Sequence, residues 1–267
     1  ENVPEGFELV DALSPEAYGN LADCEYLISR LDIDPDIINH TPNVKFWQRW
    51  GAGFDHVDLK AWGERGIPIA TCPGVNSGIV AELAIMLMLA GYRNLLQINR
   101  QLRAGHWPRT EYFGRSFMIK GKTVGVLGLG HIGKKVAALA SAFGANVIYY
   151  DIVRQPEQEE QFGYRFVDFD TLLKESDIFT IHCPLNEETR GMIGAAQFAK
   201  MKPTAMLINT ARGPIVDEAA LVDALTTGKI ATAGLDTYEH EPLPKDHPLL
   251  TLDNVVASAH AGGNTKD

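Results

Sequence analysis

Three charged residues in the second half of the chain are of the types that proteins use for proton transfer and for binding carboxylates. Arg212, Glu241 and His260 each lie just beyond an apolar run with the length and composition of a β-strand. A histidine exchanges a proton near neutral pH, and an arginine presents a planar fork of donors that matches a carboxylate. Because open α/β sheets bind ligands at the carboxyl ends of their strands, we predict that these residues carry the chemistry.

A glycine-rich segment, residues 128–133 with the sequence G-L-G-H-I-G, has the form of a dinucleotide-binding turn. The pattern alone is a weak signal, but here a strand-like run precedes it, a helical pattern follows it, and the next strand ends at Asp151. Gly128 permits a tight turn, Gly130 lets the backbone approach a pyrophosphate, and Gly133 allows helix and strand to pack closely. The amino terminus of the following helix would face the phosphates.

The carboxylate of Asp151 indicates which dinucleotide binds. It is placed to accept hydrogen bonds from the ribose hydroxyls of the adenosine half, and it would repel the 2′-phosphate of NADP. The pattern therefore predicts NAD as the cofactor, although Arg154, three residues further on, would soften that preference. The alternative interpretation is a strand-helix turn that binds no ligand.

The hydrophobic pattern predicts a scaffold of alternating strands and helices. The predicted strands are Glu25–Ser29, Val44–Arg49, Ile67–Thr71, Thr123–Gly128, Asn146–Asp151, Asp177–His182, Ala205–Thr210, Ala231–Asp236 and Asn254–Ser258. Helical patterns lie at Ile132–Phe143, Phe169–Glu175 and Glu218–Thr226. The later strands are continuously apolar, as in a parallel sheet covered on both faces. We therefore predict an α/β fold with a Rossmann-type, doubly wound parallel sheet.

The same pattern predicts two domains. We expect a partial substrate-binding domain at residues 1–76, a nucleotide-binding domain at 77–262, and the start of a return to the first domain at 263–267. The segment Glu82–Ala104 has a long helical pattern that is apolar on most sides. A helix of this kind is buried either in a core or in a subunit interface, which is compatible with a homodimer.

The composition of the 267 residues argues against several classes of binding partner. The net charge is −10 and no basic face stands out, which argues against a nucleic-acid partner. The longest apolar run, Leu83–Ala90, is too short to span a bilayer, so we expect no membrane partner. The three cysteines are far apart and lack a C-x-x-C motif, so we expect no metal site and a reducing, cytoplasmic compartment.

In the order of its motifs, the sequence resembles the D-isomer specific 2-hydroxyacid dehydrogenases, from about Cys24 to the end of the chain. The motifs that carry the likeness are the glycine turn with Asp151, N-T-A-R-G at 209–213, D-x-x-x-x-E-P at 236–242, H-x-G-G at 260–263, and the segments 51–58 and 80–83. Among the subgroups, the sequence is most similar to the phosphoglycerate dehydrogenases.

The resemblance implies an NAD-dependent oxidoreductase that interconverts a D-2-hydroxy acid and its 2-oxo acid. It implies a smaller, flavodoxin-like α/β substrate domain beside the Rossmann-type domain, and a homodimer. In this family pattern His260 is the acid and base, Glu241 favours its imidazolium form, and Arg212 binds the substrate carboxylate.

The resemblance also implies the contacts of both ligands. Cofactor contacts are expected from Gly128, Gly130, His131, Ile132, Gly133, Asp151, Pro184, Thr189, Thr210, Ala211 and Asp236. Substrate contacts are expected from Arg30, Arg49, Gly51, Ala52, Gly53 and Arg212. The first two arginines favour an acid with a second negative group, such as phosphoglycerate, over glyoxylate, hydroxypyruvate or D-lactate.

Two features depart from the family pattern. Ser258-Ala259 stands where the family usually has Thr-Pro, which frees the backbone before His260. The chain also begins and ends inside the usual family length, so we expect it to be trimmed at both ends.

Two other functions are compatible with the same motifs. One is an NAD(H)-sensing, corepressor-like binding protein on the same fold, which can retain the arginine, glutamate and histidine. The other is a formate dehydrogenase, which Glu241 disfavours because that branch carries a neutral amide at this position.

Overall fold

The computed structural model describes residues 3–12, 14–29, 34–55 and 57–266, which divide into two compact units, Glu1–Asn76 and Ser77–Asp267. The strands are β1 Tyr26–Ser29, β2 Phe46–Arg49, β3 Ile69–Ala70, β4 Thr123–Leu127, β5 Asn146–Tyr150, β6 Arg165–Phe166, β7 Ile178–Ile181, β8 Met206–Asn209, β9 Thr232–Leu235 and β10 Val255–Ala257. The α-helices are α1 Ile37–His40, α2 Leu59–Glu64, α3 Ser77–Tyr92, α4 Leu95–Arg103, α5 His131–Ala142, α6 Pro156–Phe162, α7 Phe169–Glu175, α8 Ala195–Phe198 and α9 Glu218–Thr226. Short 3-10 helices lie at Pro15–Leu21, Gly213–Ile215 and Pro248–Leu250.

The first unit is built on a three-stranded parallel sheet in the order β1-β2-β3. Its core contains Trp47 from β2 and Trp62 from α2, whose ring centroids are 4.9 Å apart. Each tryptophan is almost fully buried, and aromatic rings of this size dominate the burial energy of a small core. The unit is thus a small α/β layer with its own hydrophobic centre.

The second unit is built on a seven-stranded parallel sheet in the order β10-β9-β8-β7-β4-β5-β6. Two separate apolar clusters cover its faces, one with α3 and α5 and the other with α7, α8 and α9. This arrangement confirms the predicted doubly wound α/β fold. The strand order reverses at β4, which pairs with both β5 and β7, and such a switch point opens a crevice at the carboxyl ends of the strands.

The strands of the second unit are apolar throughout because both faces of the sheet are covered. Every residue of β7 and β8 is buried, so no polar position interrupts the pattern. Two helices begin where the sequence pattern placed them, because an aspartate caps each one. Asp168 accepts a hydrogen bond from Thr171 N at 2.8 Å, and Asp217 accepts one from Ala220 N at 2.9 Å.

The prediction of one long helix over Glu82–Ala104 is wrong. The chain forms α3 and α4, which meet at a bend of 63°. Asn94 lies at the bend with φ +50°, a conformation that asparagine tolerates better than most residues, and its side chain donates to Arg115 O at 3.2 Å. Among the described residues, no single helix combines the length and apolar composition that a membrane crossing requires, and only α3 and α4 taken together across the bend do so.

Candidate functional site

The glycine turn after β4 has no space for a side chain at two of its three glycines. Gly128 has φ +90°, and a side chain there would come within 2.8 Å of Cys183 N. A side chain on Gly133 would overlap the carbonyl oxygen of Gly128. Around Gly130, by contrast, no described atom lies within 4 Å of the position that a methyl group would occupy. The turn is therefore closed towards the sheet and open at Gly130, where α5 begins and its free amides face outwards.

Two side chains from beyond β5 hold the peptide groups of Leu129 within this turn. Asp151 Oδ2 accepts a hydrogen bond from Leu129 N at 2.7 Å, and Gln155 Nε2 donates to Leu129 O at 2.9 Å. Asp151 Oδ1 also accepts from Val153 N at 3.2 Å. A carboxylate can accept about four hydrogen bonds, so Asp151 keeps acceptor capacity for a ligand hydroxyl.

The loop after β7 is a compact turn that joins two of the predicted cofactor residues. Thr189 Oγ1 donates to Pro184 O at 2.7 Å, while Asn186 Oδ1 accepts from Thr189 N at 2.9 Å. Both hydrogen bonds join residues within the loop. Pro184 and Thr189 therefore occupy one fixed surface at the carboxyl end of β7.

His182, between β7 and this loop, is half-buried with its Nδ1 shielded from solvent, and its environment keeps it neutral. Its Nε2 lies 2.8 Å from Thr180 Oγ1, and burial lowers the pKa of the imidazole to about 3. A histidine of this kind does not exchange protons near neutral pH. Its role is in packing between the two halves of the sheet.

The residues predicted for the chemistry follow three adjacent strands. β8, β9 and β10 are in register so that Asn209 pairs with Leu235, and Leu235 pairs with Ala257. The carboxyl ends of all three strands lie at the same end of the sheet. Arg212 follows β8 and His260 follows β10, with the β9 loop between them.

His260 and Glu241 form a close pair at this edge. His260 Nδ1 lies 2.7 Å from Glu241 Oε2, and Glu241 Oε1 accepts a hydrogen bond from Tyr238 N at 2.9 Å. An ionised carboxylate only accepts, so Nδ1 carries the proton and Nε2 is left to face a ligand. His260 has φ +50°, a left-handed conformation that few non-glycine residues adopt, although histidine adopts it more often than most.

Asp236 holds the backbone on which His260 lies. Its carbonyl oxygen accepts from His260 N at 2.8 Å, and its carboxylate accepts from Ala261 N and Gly262 N, both at 2.9 Å. The side chain is only 1% exposed. Asp236 thus fixes the loop that carries His260, while its predicted contact with the nicotinamide carboxamide stays a prediction.

Arg212 lies on a turn that the side chain of Asn209 organises. Asn209 Oδ1 accepts from Ala211 N at 3.0 Å, and its Nδ2 donates to Arg212 O at 2.9 Å. Arg212 Nη1 donates to Ala211 O at 2.7 Å. A side chain on Gly213 would overlap the carbonyl group of Tyr238, so this turn packs directly against the loop that carries Glu241.

Sequence reasoning missed a second carboxylate–histidine pair that supports the same loop. Glu218, at the start of α9, is largely buried and accepts from Glu239 N at 3.2 Å. His247 Nε2 lies 3.0 Å from the other oxygen of Glu218. No periodic pattern links these three positions, and Glu218 has the sequence context of a surface residue in a first helical turn.

The predicted substrate residues of the first unit are described only in part. Arg30 lies outside the described residues. Arg49 is buried, and its Nε donates to Gly53 O at 3.2 Å, so the arginine supports the segment 51–53. Gly51 O in turn accepts from Cys72 N at 2.9 Å.

Two buried hydroxyl groups test whether the second unit fits a dinucleotide. Thr210 Oγ1 and Thr237 Oγ1, just after β8 and β9, have no hydrogen-bond partner among the described residues. An unpaired buried hydroxyl costs about 1–3 kcal/mol, so both are suited to a polar ligand. Together with the open turn at Gly130 and the carboxylate of Asp151, they fit a bound dinucleotide along the carboxyl edge of the sheet.

Comparison with known proteins agrees with this geometry. Residues 85–262 match the family model described as D-isomer specific 2-hydroxyacid dehydrogenase, NAD binding domain. A D-3-phosphoglycerate dehydrogenase of Archaeoglobus fulgidus is 45% identical over 239 residues, which cover 90% of this chain and 45% of the relative. The chain thus spans less than half the length of that relative.

Two further relatives are covered more fully. A glyoxylate reductase of Thermofilum pendens is 43% identical over 255 residues, covering 94% of this chain and 75% of the relative. The crystal structure of a glyoxylate reductase from Paecilomyes thermophila superimposes with a TM-score of 0.81 at 37% identity, covering 93% of this chain and 77% of that one.

Proposed function

Because the chain belongs to the D-isomer specific 2-hydroxyacid dehydrogenases, a family of NAD-dependent oxidoreductases, we propose that it interconverts a D-2-hydroxy acid and its 2-oxo acid. The observation that carries this proposal is the His260–Glu241 pair at 2.7 Å, at the strand edge that Arg212 shares. A dinucleotide turn alone supports cofactor binding. The pair adds a group that can move a proton.

The proton transfer follows from the tautomer that Glu241 imposes. With Nδ1–H donated to the carboxylate, the imidazolium of His260 holds its second proton on Nε2. In the direction of reduction, Nε2 gives this proton to the carbonyl oxygen of the 2-oxo acid. In the direction of oxidation, neutral Nε2 removes the hydroxyl proton, and Glu241 stabilises the resulting positive charge.

Arg212 is proposed to hold the substrate carboxylate. Its guanidinium stays charged at all relevant pH values and can donate two parallel hydrogen bonds. The turn that carries it is fixed by Asn209, so the fork is presented from a defined backbone position. Binding the carboxylate orients the carbonyl group for the proton from His260.

The residues of the glycine turn and Asp151 would hold the dinucleotide, with Thr210 offering its unpaired hydroxyl. When bound, NAD supplies the hydride acceptor, and NADH the hydride donor. The contacts of Pro184, Thr189 and Ala211 with the adenosine and nicotinamide halves remain part of this proposal.

The substrate class is a small 2-oxo or 2-hydroxy acid. Both relatives with defined reactions act on such acids by their names, one on D-3-phosphoglycerate and one on glyoxylate. Arg49 Nε donates to Gly53 O, so this arginine supports the segment 51–53, and its contact with the substrate stays a prediction.

A panel assay tests the proposed function. NADH oxidation is measured with glyoxylate, hydroxypyruvate, phosphohydroxypyruvate and pyruvate, and NAD reduction with formate. We expect turnover with at least one 2-oxo acid and none with formate. Tight NADH binding without turnover on any acid would instead indicate the NAD(H)-sensing protein, and turnover on formate would overturn the role of Glu241.

We also propose a homodimer, supported by the exposed apolar surface of α3 and α4. Met86, Leu95 and Leu96 are each 44–54% exposed, and Met86 and Leu95 line a groove of mainly apolar side chains. Such a continuous patch is typical of an interface. Light scattering should give twice the chain mass, and Leu95→Glu should give the monomer, whereas Leu59→Glu, at an exposed site on α2, should not.

A further inference from the structure

Arg154, three residues beyond Asp151, has one side of its guanidinium bound by another side chain. Its Nε donates to Glu159 Oε1 at 2.9 Å and its Nη2 to Glu159 Oε2 at 2.7 Å. The guanidinium also lies over the ring of Phe166, 5.6 Å from the centroid. Phe166 belongs to β6, the outermost strand on this side, so the arginine points towards the edge of the sheet.

Glu159 is itself fixed from the other side. Tyr149 OH donates to Glu159 Oε1 at 2.8 Å and accepts from Gln155 N at 2.8 Å. The glutamate side chain is 18% exposed, against 61% for Arg154. Arg154 and Tyr149 lower the pKa of Glu159 to about 2, so the carboxylate is charged at every pH of interest.

The position of this pair bears on the choice between NAD and NADP. The two cofactors differ only by the 2′-phosphate on the adenosine ribose, and an arginine just beyond the acidic residue is the usual partner for that phosphate. Arg154 has the right residue type and sequence position. The Nε and Nη2 side of its guanidinium, however, is already bound by Glu159, whose carboxylate also compensates its charge.

We propose that Glu159 is a specificity-determining residue that sequesters the guanidinium of Arg154 and so keeps it from serving the 2′-phosphate of NADP. The inference rests on the proposed dinucleotide site and extends it: Asp151 repels the phosphate, and Glu159 removes the cation that would compensate. To bind the Nε and Nη2 side of Arg154, a phosphate must first displace Glu159 and break two charge-assisted hydrogen bonds.

The test is the binding of NADH and NADPH to the purified protein, measured by fluorescence titration without substrate. For Glu159→Gln we expect NADPH to bind about fivefold to tenfold more tightly, since an exposed arginine is freed and one negative charge is removed. NADH affinity should stay within about twofold. Adding Asp151→Asn, which keeps an acceptor for Leu129 N, should increase the gain for NADPH further.

Two matched variants separate release of the arginine from a general charge effect. Glu160→Gln removes the same charge from an exposed position on the same helix and should leave both affinities unchanged. Arg154→Ala added to Glu159→Gln should abolish the gain for NADPH. An equal gain with Glu160→Gln, or a gain that survives loss of Arg154, would overturn the proposal.

Arg154→Ala alone keeps the proposal testable if Glu159→Gln does not fold. Since the arginine is sequestered in the native chain, this variant should bind NADPH within about twofold of the native affinity, and a loss of more than about fivefold would overturn the proposal. Failure of the native chain to bind NADH would contradict the dinucleotide site itself. Intact NADH binding with no change in NADPH binding for Glu159→Gln would contradict only the role of Glu159.

Discussion

The two halves of the seven-stranded sheet position their site residues by different physical means. After β4, the turn is defined by absent side chains, because a methyl group on Gly128 or Gly133 has no space. After β9 and β10, the site is defined by side chains that bind backbone, with Asp236 and Glu241 holding the loops around His260. The backbone after β4 is therefore positioned by steric exclusion, and the backbone after β9 and β10 by a hydrogen-bond network.

This difference determines how each half responds to substitution. A steric site fails when an atom is added, and the failure appears in folding and cofactor binding together. A network fails when a partner is lost, and the rest of the structure can remain. Variants of the first kind should lower stability, while variants of the second should lower turnover and leave NADH binding largely intact.

The largest effect on stability is expected for Gly133→Ala. Its methyl group would overlap the carbonyl of Gly128, so the start of α5 must move, at a cost of about 3 kcal/mol. Thermal unfolding followed by circular dichroism should show Tm lower by about 10 °C. Gly130→Ala is the control, because a methyl group at this position has open space and Tm should be retained. An equal loss of Tm in this variant would contradict the steric account.

Arg212→Lys should damage the chemical half while leaving the fold intact. The charge remains but the planar fork is lost, so we expect kcat/KM to fall roughly a hundredfold through misplacement of the carboxylate. Steady-state kinetics with the preferred 2-oxo acid would measure this. Retention of kcat/KM within about threefold would show that only the charge of Arg212 matters.

Glu241→Gln should have a smaller effect. An amide can still accept from His260 Nδ1, but it places no negative charge beside the ring. We expect the rate of reduction to fall about tenfold, a fraction of a full general-acid contribution. Steady-state kinetics with the preferred 2-oxo acid would measure this, and a rate within about twofold of the native rate would show that the charge of Glu241 does not contribute.

The smallest effect concerns His182, which lies between the two halves. Its folded-state pKa of about 3 is below the ordinary value of 6.5, so the unfolded chain binds more protons between these limits. Stability is fully present above pH 6.5 and falls as the pH is lowered, by up to about 1.4 kcal/mol per pH unit. In urea unfolding, His182→Gln should show a shallower decline from pH 6.5 to pH 5, and an unchanged slope would count against this assignment.

The sequence predicted the elements whose signals are local. The glycine spacing and Asp151 lie within one strand-turn-helix-strand unit, and the helical patterns at Phe169–Glu175 and Glu218–Thr226 gave the bounds of α7 and α9. Strand β6 was missed because two residues are too few for a periodic signal. The break between α3 and α4 was missed because an asparagine in a left-handed conformation does not alter the apolar pattern.

The supporting contacts that sequence reasoning did not predict join positions that are far apart in the sequence. Asp236 contacts amides some 25 residues later, and Glu218 supports Glu239 N across 21 residues. Such partners are set by the order of strands in the sheet rather than by local spacing. The sequence therefore singled out His260, Glu241 and Arg212 by their residue types and positions. The structure shows which other side chains hold the loops that carry them.

The central claim is that His260 moves the proton, and the most direct measurement compares turnover with cofactor binding in His260→Ala. Reduction of the preferred 2-oxo acid and the Kd of NADH are measured on the same preparation. The account predicts a fall in kcat of about 10³-fold with the Kd of NADH unchanged. Turnover within tenfold of the native rate, with Tm and NADH binding intact, would contradict it.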